Sequence, residues 1–192
     1  MPFESDDAAT PLTPTERDGL IPSYVTLRRE LNEAEQVNIV AAERWAYSRK
    51  RNVLDEAFLR RLHFRMLKDV WRWAGEYRTT PRNIGVDVWR ISLELRQLLD
   101  DTMFWVTNST YSTDEIAARF HHKLVWIHPF ANGNGRHARL AADLLLVQLG
   151  CKRFTWGRGS LTNIGQLRAN YVAALRSADN HNYEPLIEFV RS

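Results

Sequence analysis

Twelve consecutive residues, His128-Pro129-Phe130-Ala131-Asn132-Gly133-Asn134-Gly135-Arg136-His137-Ala138-Arg139, concentrate polar groups that core packing does not explain. Pro129 disfavours helical geometry at the residue before it, so the His128 imidazole is expected on a loop, with Phe130 anchoring that loop in apolar surroundings. Gly133 and Gly135 place no side chain in the path of a ligand and lead into a helix. The first N–H groups and positive dipole end of such a helix form an anion site suited to phosphate. Arg136 and Arg139 stand three residues apart on the first helical turn, where their guanidinium forks can clamp further phosphate oxygens. A polyphosphate suits this set better than a single phosphate. A histidine within reach of such a cradle suits general-base chemistry, because its ordinary pKa of about 6.5 leaves it largely neutral at neutral pH. Reading Asn134 as a mere helix cap and Gly133 as a mere turn glycine leaves both arginines unexplained.

The flanking sequence supplies the elements that must hold these groups. Thr113 to Ile127 follows a Ser/Thr/Asp start and buries Ile116, Phe120, Leu124 and Trp126 at helical spacing, and Gly135 to Leu149 is strongly apolar after its first turn. Chemistry is thereby placed between two central helices. Upstream, Tyr24 to Lys50 reads as an amphipathic helix with Asn32 and Glu35 as a capping pair, and Leu54 to Val70 as a second helix with an arginine-rich outer face. Tyr77 to Ser92, YRTTPRNIGVDVWRIS, mixes β-branched and aromatic residues with Pro81, Asn83 and Gly85, which predicts a small hairpin. Leu93 to Val106, Asn163 to Ala178 and Tyr183 to Val190 return to helical spacing. The expected fold is all-α, a bundle of about seven to eight helices with one β-hairpin. Residues 1–22, dotted with Pro2, Pro11, Pro14 and Pro22, form an irregular arm before a single domain over 23–192.

Composition narrows the classes. With 44% apolar residues and seven tryptophans in 192 residues, the chain builds one sizeable core, and disorder is excluded. The 26 Lys and Arg are interspersed with 23 acids, a net charge of +3, so nucleic-acid binding is not indicated. No membrane-spanning run or signal peptide is present, which points to a cytoplasmic location. Cys151 has no partner for a disulfide. His63, His121, His122 and His137 are read as surface or packed histidines and not as a metal site.

The segment HPFANGNGRHAR resembles the Fic motif, in which His, Phe, an acid, Gly-Asn-Gly-Arg and a final Arg recur at fixed spacing, and all specified positions but one match. The run WRWAGEYRTT and the turn-rich stretch after it resemble the Fic flap, so the likeness covers about residues 50–178, between a helical extension at 23–50 and a closing helix at 183–191. IPSYVTLRRELNEAEQVNI and FTWGRGS resemble the subgroup called mobile mystery protein B. The resemblance implies the Fic fold and a protein nucleotidyltransferase that moves AMP from ATP to a hydroxyl of a target protein, with His128 as base. It assigns Gly133, Asn134 and Gly135 to the anion hole, and Arg136 and Arg139 to the phosphates. The flap residues Thr79, Thr80, Asn83, Ile84, Gly85 and Val86 would pin the target as an added strand. Mg²⁺ or Mn²⁺ is the implied cofactor, but Asn132 stands where the family has Asp or Glu, and a neutral amide holds a cation weakly. Thr26 to Glu30 matches most of an inhibitory element whose glutamate, here Glu30, pairs with the second motif arginine. Without that element, the resemblance implies either inhibition by a separate antitoxin-like partner or none. Alternatives are phosphorylation, use of another nucleoside triphosphate, removal of AMP, or a non-catalytic nucleotide-binding module.

Overall fold

The structure, a computed structural model, describes residues 12–158 and 164–192. Residues 1–11 of the expected arm, the end of FTWGRGS and the first residue of the Asn163 helix lie outside the described residues. Among the described residues there are eight α-helices: α1 (Pro14–Arg17), α2 (Arg28–Tyr47), α3 (Glu56–Leu67), α4 (Ile91–Asn108), α5 (Thr113–Ile127), α6 (Asn134–Gln148), α7 (Ile164–Asp179) and α8 (Glu184–Arg191). A single 3₁₀ turn, Val88–Arg90, leads into α4.

Helices α5 and α6 form the centre. α4 packs on the outer side of α5, α2 pairs with α3, α3 reaches α6, and α7 and α8 close the far side against α5. α5 starts where Ser112 Oγ accepts the Glu115 N–H at 3.3 Å, with Asp114 and Glu115 set against the positive end of the helix. α3 starts on Asp55, whose carboxylate accepts the amides of Ala57 and Phe58. Along α6, Ala138, Leu140, Ala141, Ala142, Leu144, Leu145 and Leu146 are all buried, so apolar side chains surround the helix. Each buried leucine contributes about 2 kcal/mol of apolar transfer. No helix is long and apolar enough to cross a membrane among the described residues.

Four expectations need correction. The hairpin over 77–92 does not form. Tyr77 makes one antiparallel bridge to Phe130, and the carbonyls of Thr80 and Val86, which a ladder would have used, are taken by the Arg78 side chain. The helix expected from Tyr24 begins at Arg28, and its cap is not Asn32 with Glu35. Glu30 folds back onto the amides of Thr26 (2.8 Å) and Leu27 (2.9 Å), and Glu35 turns inward. Trp126 is not buried: it is 39% exposed, with the Lys123 ammonium 3.5 Å above its ring. The arm is not wholly irregular, because α1 is closed by a capping box of Thr13 and Glu16. Beyond α1 the arm pairs with the chain after α3, through Ile21 N–H to Val70 O and Arg72 N–H to Gly19 O, both 2.9 Å.

Candidate active site

The α5–α6 connection is built by backbone geometry. His128 ends α5 in the left-handed region, φ 52° and ψ 58°, with Pro129 immediately after it, so the helix cannot continue. Gly133, at φ 77°, opens α6, and a Cβ there would also press Leu67 at 3.0 Å. Between them the Asn134 side chain closes the loop on itself. Its Oδ1 accepts the Phe130 N–H at 2.9 Å and its Nδ2 donates to the Phe130 carbonyl at 2.8 Å, both buried. The first bond within α6 is His137 N–H to Gly133 O, so the amides of Asn134, Gly135 and Arg136 precede the helical ladder. A Cβ at Gly135 would meet nothing within 4 Å, which leaves the helix N-terminus open to a ligand from that side.

Three residues that sequence reasoning missed hold this loop from behind. His63, of α3, is fully buried and stacks on Phe130 with ring centroids 3.7 Å apart. Its Nδ1 accepts the Gly75 N–H at 2.9 Å, so Nε2 carries the proton and donates to the Asn132 carbonyl at 3.0 Å. Burial, then the neighbouring His137, hold its pKa well below the ordinary value, which keeps that tautomer neutral. The second is Arg78, almost fully buried, whose Nε donates to the His128 carbonyl at 2.7 Å and whose backbone N–H donates to the Pro129 carbonyl at 2.9 Å. The third is Glu35. Its Oε1 accepts the Trp71 indole N–H and its Oε2 accepts Arg136 Nη1, each at 2.7 Å, so a buried carboxylate of α2 holds the first motif arginine. Periodicity marks such residues only as polar interruptions of a helix or loop. A glutamate at a position that the α2 pattern requires to be inside was the one available signal.

His128 is buried, and its ring hydrogen-bonds the Val125 carbonyl. Burial pushes its pKa down to about 4, the Val125 carbonyl opposes this, and the charges of Arg78 and Arg82 reinforce it. The imidazole is therefore neutral, and with one nitrogen donating to a carbonyl the other is an acceptor. Gly85 lies directly over it: at φ 94° it permits a contact in which an added Cβ would stand 2.6 Å from His128 Cβ. Val86 N–H donates to Ile127 O at 3.3 Å, so the flap segment is fastened beside the histidine without being a hairpin. Ile84 is exposed at the flap tip, while Thr80 reaches Glu16 of α1, which also binds Arg82.

Arg139 lies 4.9 Å over the Tyr171 ring, one turn beyond Arg136. The motif residues His128, Asn132, Gly133, Asn134, Gly135, Arg136 and Arg139 thus share the α5–α6 junction. Glu30 does not join them, since its carboxylate is taken by Thr26 and Leu27 at the start of its own helix. Among the described residues no group of three or more His, Cys, Asp and Glu side chains is arranged to hold a metal ion. Asn132 Oδ1 accepts the Gly133 N–H at 2.6 Å, so the loop offers a cation one neutral oxygen that already has a partner. These residues do not make a divalent-cation site on their own.

Residues 53–146 match the model of the Fic/DOC family. Protein adenylyltransferase fic-1 of Caenorhabditis elegans is 32% identical over 120 residues, 61% of this chain and 22% of that protein. Protein adenylyltransferase Fic of Nematostella vectensis is 32% identical over 124 residues, 61% of this chain and 26% of that protein. The chain thus spans about a quarter of the length of these curated relatives. Among solved structures, Fic-1 (residues 134–508) of C. elegans superposes with a TM-score of 0.68 at 26% identity, covering 92% of this chain and 52% of that one. The N-terminal Fic domain of a Bartonella effector protein from Bartonella sp. AR 15-3 superposes at 0.70 with 14% identity, over 93% of this chain and 91% of that one, and shares the fold.

Proposed function

Since residues 53–146 belong to the Fic/DOC family, we propose that the protein transfers AMP from ATP to a hydroxyl side chain of a target protein, with His128 as general base. One observation carries this reading: a neutral, buried imidazole stands at the end of α5, five positions before Gly133, the N-cap of a helix whose open side is Gly135. The names of the relatives, protein adenylyltransferases, support the nucleotide and the reaction class.

In the step, the hydroxyl oxygen attacks the α-phosphorus and its proton passes to the His128 ring nitrogen that does not donate to Val125. The bond from the α-phosphorus to the bridging oxygen breaks, and pyrophosphate leaves with the electron pair. The amides of Asn134, Gly135 and Arg136 face the charge that develops on the phosphoryl oxygens, while Arg136 and Arg139 hold the rest of the triphosphate. A base whose pKa lies near 4 is always unprotonated at neutral pH but is a weak acceptor. The triphosphate charges arriving beside it raise its affinity for the proton when transfer occurs. Because Asn132 supplies no charge, a divalent cation brought with the nucleotide would gain little from this loop, where Asn132 would offer it one neutral oxygen. The reaction is cytoplasmic, where ATP is available and Cys151 stays reduced. With Glu30 occupied at its own helix start, the enzyme is either restrained by a separate inhibitory partner or not restrained at all.

Asn132 also favours a second reading, a nucleotide-binding module without turnover, because its Oδ1 is already tied to Gly133. α-labelled ATP incubated with cell lysate, wild-type protein, His128→Ala and Asn132→Asp separates the two. Label that requires His128 and increases with Asn132→Asp supports transfer. Nucleotide binding with no label from either active form supports the module.

A further inference from the structure

We infer that Arg78, which lies outside the twelve-residue motif, is a positioning residue: its guanidinium fixes the wall along which an acceptor hydroxyl reaches His128 and keeps a positive charge beside that ring. The inference rests on the transferase reading above and names a residue that the reading leaves without a role. Arg78 is 3% exposed. Its donors go to carbonyl oxygens: Nε to His128 at 2.7 Å, Nη1 to Thr80 at 3.1 Å and Nη2 to Val86, while its own amide holds Pro129 O at 2.9 Å. One planar fork therefore grips both ends of the 80–86 turn and the backbone of the catalytic residue. Gly85, at the turn, packs on His128 Cβ as a result. No lysine could reproduce this, since a single ammonium cannot span three carbonyls in fixed directions.

The choice of a cation matters as much as its shape. Carbonyl dipoles satisfy the donors without cancelling the charge, so the field of Arg78 persists at His128. The groups facing that ring are Arg78 and Arg82 from the flap and the Val125 carbonyl from α5. Arg82 is neutralised by Glu16 of α1, and Asp87 faces Arg78 across the turn. Arg78 is thus the less compensated of the two cations, and it favours the unprotonated ring before nucleotide arrives.

Full-length wild type, Arg78→Met and Arg78→Lys would be compared in three measurements: titration of the His128 ring followed by NMR, ATP binding, and label transfer from α-labelled ATP to lysate proteins. In Arg78→Met the His128 titration should move up toward the ordinary histidine range. Label transfer should fall about 10- to 100-fold, the cost of a misplaced approach, while ATP affinity stays within about twofold. Arg78→Lys should lose label transfer similarly but keep the wild-type titration, because it retains the charge without the fork. An unmoved titration in Arg78→Met overturns the inference, as does a parallel loss of ATP affinity and thermal stability that accounts for the lost label. Should wild type give no His128-dependent label, the transferase reading fails, and the NMR titration alone still decides whether Arg78 biases the ring.

Discussion

Lowering the pH from 7 to 5 should cost this protein most of its stability through its buried histidines. Burial pushes His128 and His137 down to about 4 and His121 to about 3, against an ordinary value of 6.5. All three bind the proton more readily when unfolded. Their contribution is therefore fully present above pH 6.5 and is lost as the pH falls from there toward 4, and toward 3 for His121. At pH 5 the unfolded rings are almost wholly protonated and the folded ones almost wholly neutral, so each costs about 2 kcal/mol relative to neutral pH. Three rings give about 6 kcal/mol, comparable to the entire stability of a typical domain. His63 is shifted the same way and adds to it. Glu16 and Glu94, whose carboxyls sit below 4.5, contribute only at lower pH. Urea unfolding followed by tryptophan fluorescence at half-unit intervals from pH 7.5 to 5 measures the slope directly. Between pH 6 and 5 it should correspond to two or more protons taken up on unfolding, about 3 kcal/mol per pH unit. A slope equivalent to less than one proton would refute the claim that these rings are buried neutral.

Other substitutions read the site itself. Gly135→Ala should leave the melting temperature unchanged, since its Cβ meets nothing, yet weaken ATP binding at least about tenfold in calorimetry by blocking the open helix end; equal binding would remove the anion-site assignment. Asn134→Ala strands the buried amide and carbonyl of Phe130 and should lower stability by about 2–4 kcal/mol in chemical denaturation. Glu35→Gln keeps an acceptor for Trp71 but frees Arg136 of its counter-charge. ATP affinity should fall several-fold if the carboxylate aims the guanidinium, and tighter binding would show instead that it competes with phosphate.

Much of the architecture was legible because α5 and α6 are long, strongly periodic and separated by a residue pattern that only a tight loop accommodates. His128-Pro129 and Gly133 mark that loop by backbone restriction; Gly133 takes the left-handed geometry its type favours, while His128 leaves the helix through the left-handed region and not through the extended geometry that a following proline favours. The 77–92 segment was misread because β-branched residues around a turn favour strands only when the ladder bonds are free. Here one buried guanidinium takes the carbonyls first. Trp126 was assigned to the core on apolarity, whereas a tryptophan beneath a lysine is stable at the surface. Glu35, His63 and Arg78 were invisible as a group because their partners lie 101, 69 and 50 positions away in sequence.

The distances spanned by those partnerships set the size of the smallest piece that can work. The family match begins at residue 53, but Glu35 and Glu16 both precede it. A fragment cut at that boundary would retain every motif residue and still leave Arg136, at the start of α6, and Arg82, on the flap, without the carboxylates they bind. It would also remove the chain that pairs with Val70 and Arg72 beneath the flap. Such a fragment would keep the motif while losing the carboxylates that hold Arg136 and Arg82 in place.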